Sequence, residues 1–214
     1  MKKILSIFLG LGLLTASSPA LSQEEPSVRS MKAALQKEPE NPVLLIHLGL
    51  IYLKNKKFQQ AIPPLEQSLQ IRKDDFKSHF YLALAYGAVG RHDKKLEELQ
   101  ESLRIKPDFA EANFKTGLAH AALNRHHEAT EYYQKAIKLE PDNYDSHYFL
   151  ALSYFLSNRY QEALAAILES IRLNPNNAEA QYTLGQIYLK LGRYKMAINP
   201  LQTAMSIHPE LAQR

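Results

Sequence analysis

The residues best placed to do chemistry are His126, His127 and Glu128, with His92 standing 34 residues before His126. Imidazole nitrogens and carboxylates are ordinary zinc ligands, and zinc needs three or four of them around one point. Neighbouring residues on a helix point in different directions, and no third ligand stands at a suitable spacing. The group reads as surface histidines rather than a metal site. A second candidate is a column of bases, Lys57, Arg91, Arg125, Arg159 and Arg193, again 34 residues apart. Such a stripe could track phosphates, but single-stranded nucleic acid also needs aromatic rings interleaved with the charges, and these are missing. The chain has no cysteine, which removes thiolate nucleophiles, thiolate metal sites and disulfides together. A phosphate-binding glycine loop, a nucleophile elbow and an HExxH pair are equally absent. The chain therefore reads as non-catalytic, with no cofactor, no metal, no small-molecule substrate and no nucleic-acid partner.

Charge and the first residues bear on location. Lys2 and Lys3 account for two of the 26 basic residues, so residues 23–214 carry 24 against 22 acidic ones, a net +2. That balance leaves no electrostatic footprint for nucleic acid or an anionic membrane. Met1, Lys2 and Lys3 form a basic start, residues 4–14 an apolar run, and residues 15–22 a small polar stretch in which Ala20 and Ser22 have the spacing read by a signal peptidase. Residues 1–22 are thus expected to be a signal peptide of bacterial type. The chain is expected to be exported, to the periplasm or outside, without lipid attachment because no cysteine follows the apolar run. Membrane contact is expected only through this segment, if it stays uncleaved; it is shorter than the roughly 20 residues of a spanning helix. Residues 23–41 are expected to be a linker followed by a capping helix, with Val28, Met31, Ala34 and Leu35 on one face.

The elements that must position any site follow from the 34-residue period. Pro39, Pro107, Pro141, Pro175 and Pro209 are separated by multiples of it, with Lys73 in the one vacant place. The repeats are residues 42–75, 76–109, 110–143, 144–177 and 178–211, leaving residues 212–214 as a tail. Each repeat reads as two amphipathic helices. Gly49, Ala83, Gly117, Ala151 and Gly185 supply a small residue in the middle of the first helix, preceded by Leu48, Leu82, Thr116, Leu150 and Leu184. Three positions on stand Tyr52, Tyr86, His120, Tyr154 and Tyr188. The second helix carries Ala61, Lys95, Ala129, Ala163 and Ala197, then Ser68, Ser102, Ala136, Ser170 and Ala204. Small residues let the paired helices touch, and the larger ones fill the space between pairs. Asp108, Asp142 with Asn143, and Asn176 with Asn177 are placed to cap the next first helix. Lys95, standing in the alanine column, is expected to loosen its helix or to snorkel outward. Pro63, Pro64 and Pro200 are expected to bend their helices or cost a backbone bond. No single pair buries its apolar face, so the units must stack into a solenoid.

These columns resemble the tetratricopeptide repeat (TPR) family over residues 42–211. The family's tryptophan column departs here, reading Leu45, His79, Asn113, His147 and Gln181. The resemblance implies an all-α fold, a right-handed α-α superhelix of helix-turn-helix hairpins whose first helices line a concave groove for a partner's peptide or helix. Carried over column by column, the groove would contain Ile46, Phe80, Phe114, Tyr148 and Tyr182; Tyr81 and Phe149, with Lys115 between them; and Leu50, Leu84, Leu118 and Leu152, with Gln186 in the last place. Gly87, Ala121 and Phe155 follow, and then Lys54, Ala122 and Lys190. Leucines in register beside aromatic rings form the kind of contiguous apolar surface that marks an interaction site; packing within the solenoid is the competing role. Leucine stands where relatives that clamp a terminal carboxylate place asparagine, so an apolar or amphipathic protein segment is the expected partner.

The leucine–aromatic groove together with the signal peptide leads to the expectation of a scaffold or adaptor for a partner protein in a bacterial envelope or secretion-type assembly. The alternative is a self-associating structural protein. It rests on the last repeat, whose outer face is expected to show Ile198, Leu201 and Met205 because only a few residues follow Pro209.

Overall fold

Side-chain caps start most of the first helices. The computed structural model describes residues 25–213; the expected signal peptide over residues 1–22 lies outside them. Asn41 Oδ1 accepts from the amides of Val43 and Leu44 at 3.0 and 3.3 Å and opens α2 (Pro42–Lys54). Asp75 accepts from Ser78 at 2.9 Å and opens α4 (Phe76–Ala88). Asn143 and Asn177 do the same, each at 3.0 Å, for α8 (Tyr144–Leu156) and α10 (Ala178–Lys190). The third repeat differs. Asp108 does not cap α6 (Ala110–Ala122) but pairs with Lys106 at 3.0 Å. Phe109 takes the cap position and packs its ring 5.3 Å from Phe76 and 4.9 Å from Phe80. Apolar packing there stands in for the hydrogen bond.

The second helices are α3 (Phe58–Ile71), α5 (His92–Ile105), α7 (His126–Leu139), α9 (Tyr160–Leu173) and α11 (Tyr194–Ile207), with α1 (Pro26–Lys37) ahead of the pairs. Each turn inside a pair places one residue at positive φ: Lys56, Gly90, Asn124, Asn158 and Gly192. The base that follows sends its amide back to the first helix, as from Lys57 to Tyr52 at 2.8 Å and from Arg159 to Tyr154 at 2.9 Å. Every helix packs on the next in the chain, and first helices also touch one another, α2 with α4, α6 with α8 and α8 with α10. The described residues contain no strand. None of their helices is long and apolar enough to cross a membrane.

The paired helices meet where a small residue faces a large one. A Cβ on Gly49 would lie 2.6 Å from Leu65, one on Gly117 2.6 Å from Tyr133, and one on Gly185 2.5 Å from Leu201. Leu65, Leu99, Tyr133 and Ile167 are fully buried in this column. Leu201, its fifth member, therefore faces inward, half-buried against the core, and is not on the outer face. The residues after Pro209 also act as a partial cap. Pro209–Gln213 forms a 3-10 helix whose Leu211 is buried against Ala178, Ala204 and Tyr182.

Three departures from the repeat pattern find their reasons in the packing. The polar side chains in the tryptophan column bind the carbonyl of the preceding inter-repeat turn: His79 to Lys73 at 3.0 Å, Asn113 to Pro107 at 3.0 Å, His147 to Pro141 at 2.8 Å and Gln181 to Pro175 at 3.3 Å. Pro63 and Pro64 do not break α3, and Pro200 does not break α11. The missing amides free the carbonyls of Gln59, Gln60 and Met196, all on exposed residues that water can reach. Lys95 does not disrupt α5, and its side chain is half-buried. Its stem lies over Gly87, where a Cβ would come within 2.8 Å of the lysine Cδ.

Candidate functional site

Leu50, Leu84, Leu118 and Leu152 recur one per repeat on the first helices, each half-buried, with half-buried Gln186 in the fifth place. Half-burial is what a groove-lining side chain requires: one flank rests on the core and the other remains open. Leu84 rests on the core beneath α4, α5 and α6, and Leu118 on the larger core running from α6 to α11. Ile46 is half-buried on α2.

The aromatic members divide into two roles. Phe80 is 2% exposed, with its ring 5.7 Å from Tyr81 and 4.9 Å from Phe109. It belongs to the core and cannot touch a ligand, which corrects its assignment to the groove. Phe114, Tyr148 and Phe149 form a continuous half-buried set, with centroids 5.7 Å apart between Phe114 and Phe149 and 5.1 Å between Tyr148 and Phe149. Beneath them Tyr133 sits 5.9 Å from Phe114 and stacks at 6.2 Å on Phe149, so the open rings are fixed from below. Phe155 meets Tyr160 at 5.7 Å. Tyr81 is half-buried; burial, then the charges of Glu111 and Asp75, raise its phenol pKa. Tyr182 is half-buried against the pair capped by Leu211.

The charged groups are sparse along this face. Lys54 and Lys190 are exposed. Lys115 is half-buried, its ammonium 5.5 Å from the centre of the Phe114 ring. Lys95 is also half-buried, and burial, then the nearby Lys115 charge, lower its pKa.

The other chemical candidates are not brought into sites. His127 Nδ1 lies 3.7 Å from Glu131 on the exposed side of α7, and His126 Nδ1 is buried without a partner. Among the described residues no three histidine or acid side chains converge as metal ligands. Two members of the basic column cover the tyrosine of their own repeat, Arg159 over the Tyr154 ring at 4.5 Å and Arg91 over Tyr86 at 5.8 Å. These cation–π contacts give the base a packing role in the second and fourth repeats.

The recurring columns do not reveal one feature of the surface. Between α7 and α9, over α8, lies an open cavity of about 530 Å³ lined by Ile137, His147, Leu150, Tyr154, Ala165 and Ala166 among others. Its signal is nonetheless present in the sequence. Ala165 and Ala166 stand where other repeats carry Pro63 and Pro64, Glu97 and Glu98, Glu131 and Tyr132, or Asn199 and Pro200, and two small side chains leave the space open.

Residues 44–77 match one tetratricopeptide repeat model, and residues 80–143, 114–178 and 150–210 match another. The chain belongs to the tetratricopeptide repeat family. Its fold is shared with solved structures of low sequence identity. One is YrrB, described as a TPR protein with an unusual peptide-binding site, with a TM-score of 0.76 at 16% identity, covering 85% of this chain and 94% of that one. A second is a MamA protein, at 0.74 and 21%, covering 82% and 96%. A third is MamA from Desulfovibrio magneticus RS-1, at 0.74 and 15%, covering 79% and 96%. No curated protein sequence matches the chain. These likenesses identify the α-α solenoid, and along its first helices Leu50, Leu84, Leu118 and Leu152 are left half-open in register.

Proposed function

We propose that this TPR chain is a non-catalytic scaffold that holds an apolar or amphipathic segment of a partner protein along the face of its first helices. The observation that carries the reading is the half-buried series Leu50, Leu84, Leu118 and Leu152, flanked by Phe114, Tyr148 and Phe149. An extended or helical peptide would cover those open flanks and gain the corresponding apolar burial. The peptide-binding site described for YrrB supports the same use of the fold. Substituting glutamate at Leu84, Leu118 and Leu152 together is expected to abolish partner capture while leaving helical circular dichroism unchanged. Undiminished capture would overturn the groove.

The basic start and apolar run of residues 1–14 further support an exported protein working in the bacterial envelope or in a secretion-type assembly. A reporter active only outside the cytoplasm, fused after residue 24, should be active, and an inactive fusion would contradict export.

A second reading, self-association, is favoured by the last pair. Ile198 is 52% and Met205 36% exposed, whereas Ile62, Thr130 and Leu164 in the Ile198 column are buried. Light scattering at high micromolar concentration tests it, and a monomer there would dismiss it.

A further inference from the structure

The second repeat breaks two columns at once. Alanine fills the buried position of the second helix in the other repeats, as Ala61, Ala129, Ala163 and Ala197, while the second repeat has Lys95. A side chain larger than glycine fills the facing position on the other first helices, as Leu53, Ala121, Phe155 and Leu189, while the second repeat has Gly87. The exchanges are complementary. Removing a side chain at Gly87 makes the room in which the Lys95 methylenes lie, with Cδ 2.8 Å from where a Cβ would stand. The lysine stem thus lies across the groove column that contains Gly87.

The surroundings of its ammonium are apolar or positive. A cavity of about 110 Å³ is lined by Lys95 and His92 from the start of α5 and by Ala119, Ala122 and Leu123 from the end of α6. Lys115 stands one helical turn before Ala119 on the same helix, close enough for its charge to act on Lys95. Among the described residues neither ammonium is paired with a carboxylate; Lys115 leans over the Phe114 ring. Two like charges held near one another, both half-buried, lose solvation and repel. A negative group placed between them would relieve both costs, and in a partly water-excluded groove it would form charge-assisted hydrogen bonds. Ala122 and Lys115 are themselves members of groove columns, so the site lies along the path assigned to the partner segment.

We propose that Lys95 and Lys115 form an anion-receiving subsite in the groove, which takes an Asp or Glu side chain of the bound protein segment while the leucines and aromatic rings take its apolar residues. This inference rests on the groove reading above. The partner segment is accordingly apolar with one obligatory acid, positioned over the second and third repeats.

The test uses residues 23–214 and a displayed library of random 12-residue peptides. Selected peptides are sorted by whether Leu118→Glu abolishes their binding, and the dependent ones are measured against Lys95→Met, which keeps the stem and removes the charge. The proposal expects the dependent peptides to share an acid at a fixed distance from their apolar residues. It also expects them to bind Lys95→Met about tenfold or more weakly, the size of a hydrogen bond to a charged group. Replacing the peptide's acid by lysine should then restore binding to Lys95→Glu. Dependent peptides with no shared acid, or with equal affinity for Lys95→Met, would overturn the subsite and leave the groove standing. If no selected peptide depends on Leu118, the groove reading fails and the subsite fails with it. Thermal melting of Lys95→Met controls for folding. Alanine occupies this position in the other repeats, so Lys95→Ala provides a second folded variant for the same measurements.

Discussion

Gly117→Ala tests the packing that fixes the groove aromatics. A Cβ at Gly117 would lie 2.6 Å from Cε1, 2.7 Å from Cδ1 and 3.0 Å from Cζ of Tyr133. That ring is 0% exposed and packs against both Phe114 and Phe149, which restricts its freedom to shift. Overpacking of this kind costs about 1–3 kcal/mol, and three short contacts on a rigid ring place it in the upper part of that range. Replacing glycine by alanine inside a helix returns about 1 kcal/mol. The net loss is about 1–2 kcal/mol, a fall in Tm of roughly 3–6 °C for a chain of this size. The same change at Gly87 meets the flexible Lys95 stem and should be neutral or stabilising by up to about 1 kcal/mol. Thermal and urea unfolding followed by circular dichroism measures both. In a Tyr133→Leu background the Gly117→Ala penalty should shrink by about 1 kcal/mol, because Ala83 facing Leu99 already packs without exposure in the second repeat. A Gly117→Ala protein as stable as the parent would refute the reasoning.

Two histidines should give stability opposite pH dependences. Burial would lower the pKa of His79, but its hydrogen bonds to Glu98 at 2.6 Å and to the Lys73 carbonyl, with the Glu98 and Glu101 charges, raise it above the ordinary 6.5. Its stabilisation is complete below pH 6.5 and fades as the pH rises through the shifted value. His79→Gln should flatten that upper limb in urea unfolding from pH 5 to 9. Burial lowers the pKa of His120, whose ring is 7% exposed, stacks on Tyr132 at 5.3 Å and leaves both nitrogens unpartnered. Its folded form loses stability as the pH falls below 6.5, and His120→Tyr, the residue of the other repeats, should remove that loss. Lys56→Gly should stabilise by about 1 kcal/mol, since Lys56 has φ 56° in a turn where other repeats use glycine or asparagine; an unchanged urea midpoint would contradict this.

The repeat architecture is legible in the sequence because each column pairs a size with a place. Gly117 opposite Tyr133 and Ala83 opposite Leu99 follow one rule of small against large, and a 34-residue period exposes it without any coordinates. The groove is less legible because one column mixes two fates. Phe80 and Phe114 are equivalent in sequence, yet Phe109 at the α6 cap closes over Phe80 alone. That burial depends on a residue outside the column, and Asp108 makes no cap because it stands one residue before the cap position, which Phe109 holds. Leu201 falls on the wrong face in a sequence reading because Gly185 shows there as a close-approach residue, not as its inward partner. Lys95 taken without Gly87 looks disruptive, although the two exchanges explain each other. The open cavity at Ala165 and Ala166 escapes because columns display what recurs, and this pair does not.

The central claim is that a partner segment lies on the first-helix face. Its most direct measurement places a photo-crosslinking amino acid at Leu118 in one protein and at Leu168, an exposed residue of α9, in another, both expressed in the native cell. The account predicts a discrete protein adduct from position 118 that disappears when Leu84 and Leu152 are changed to Glu, with none from position 168. Adducts from position 168 and none from 118 would contradict it.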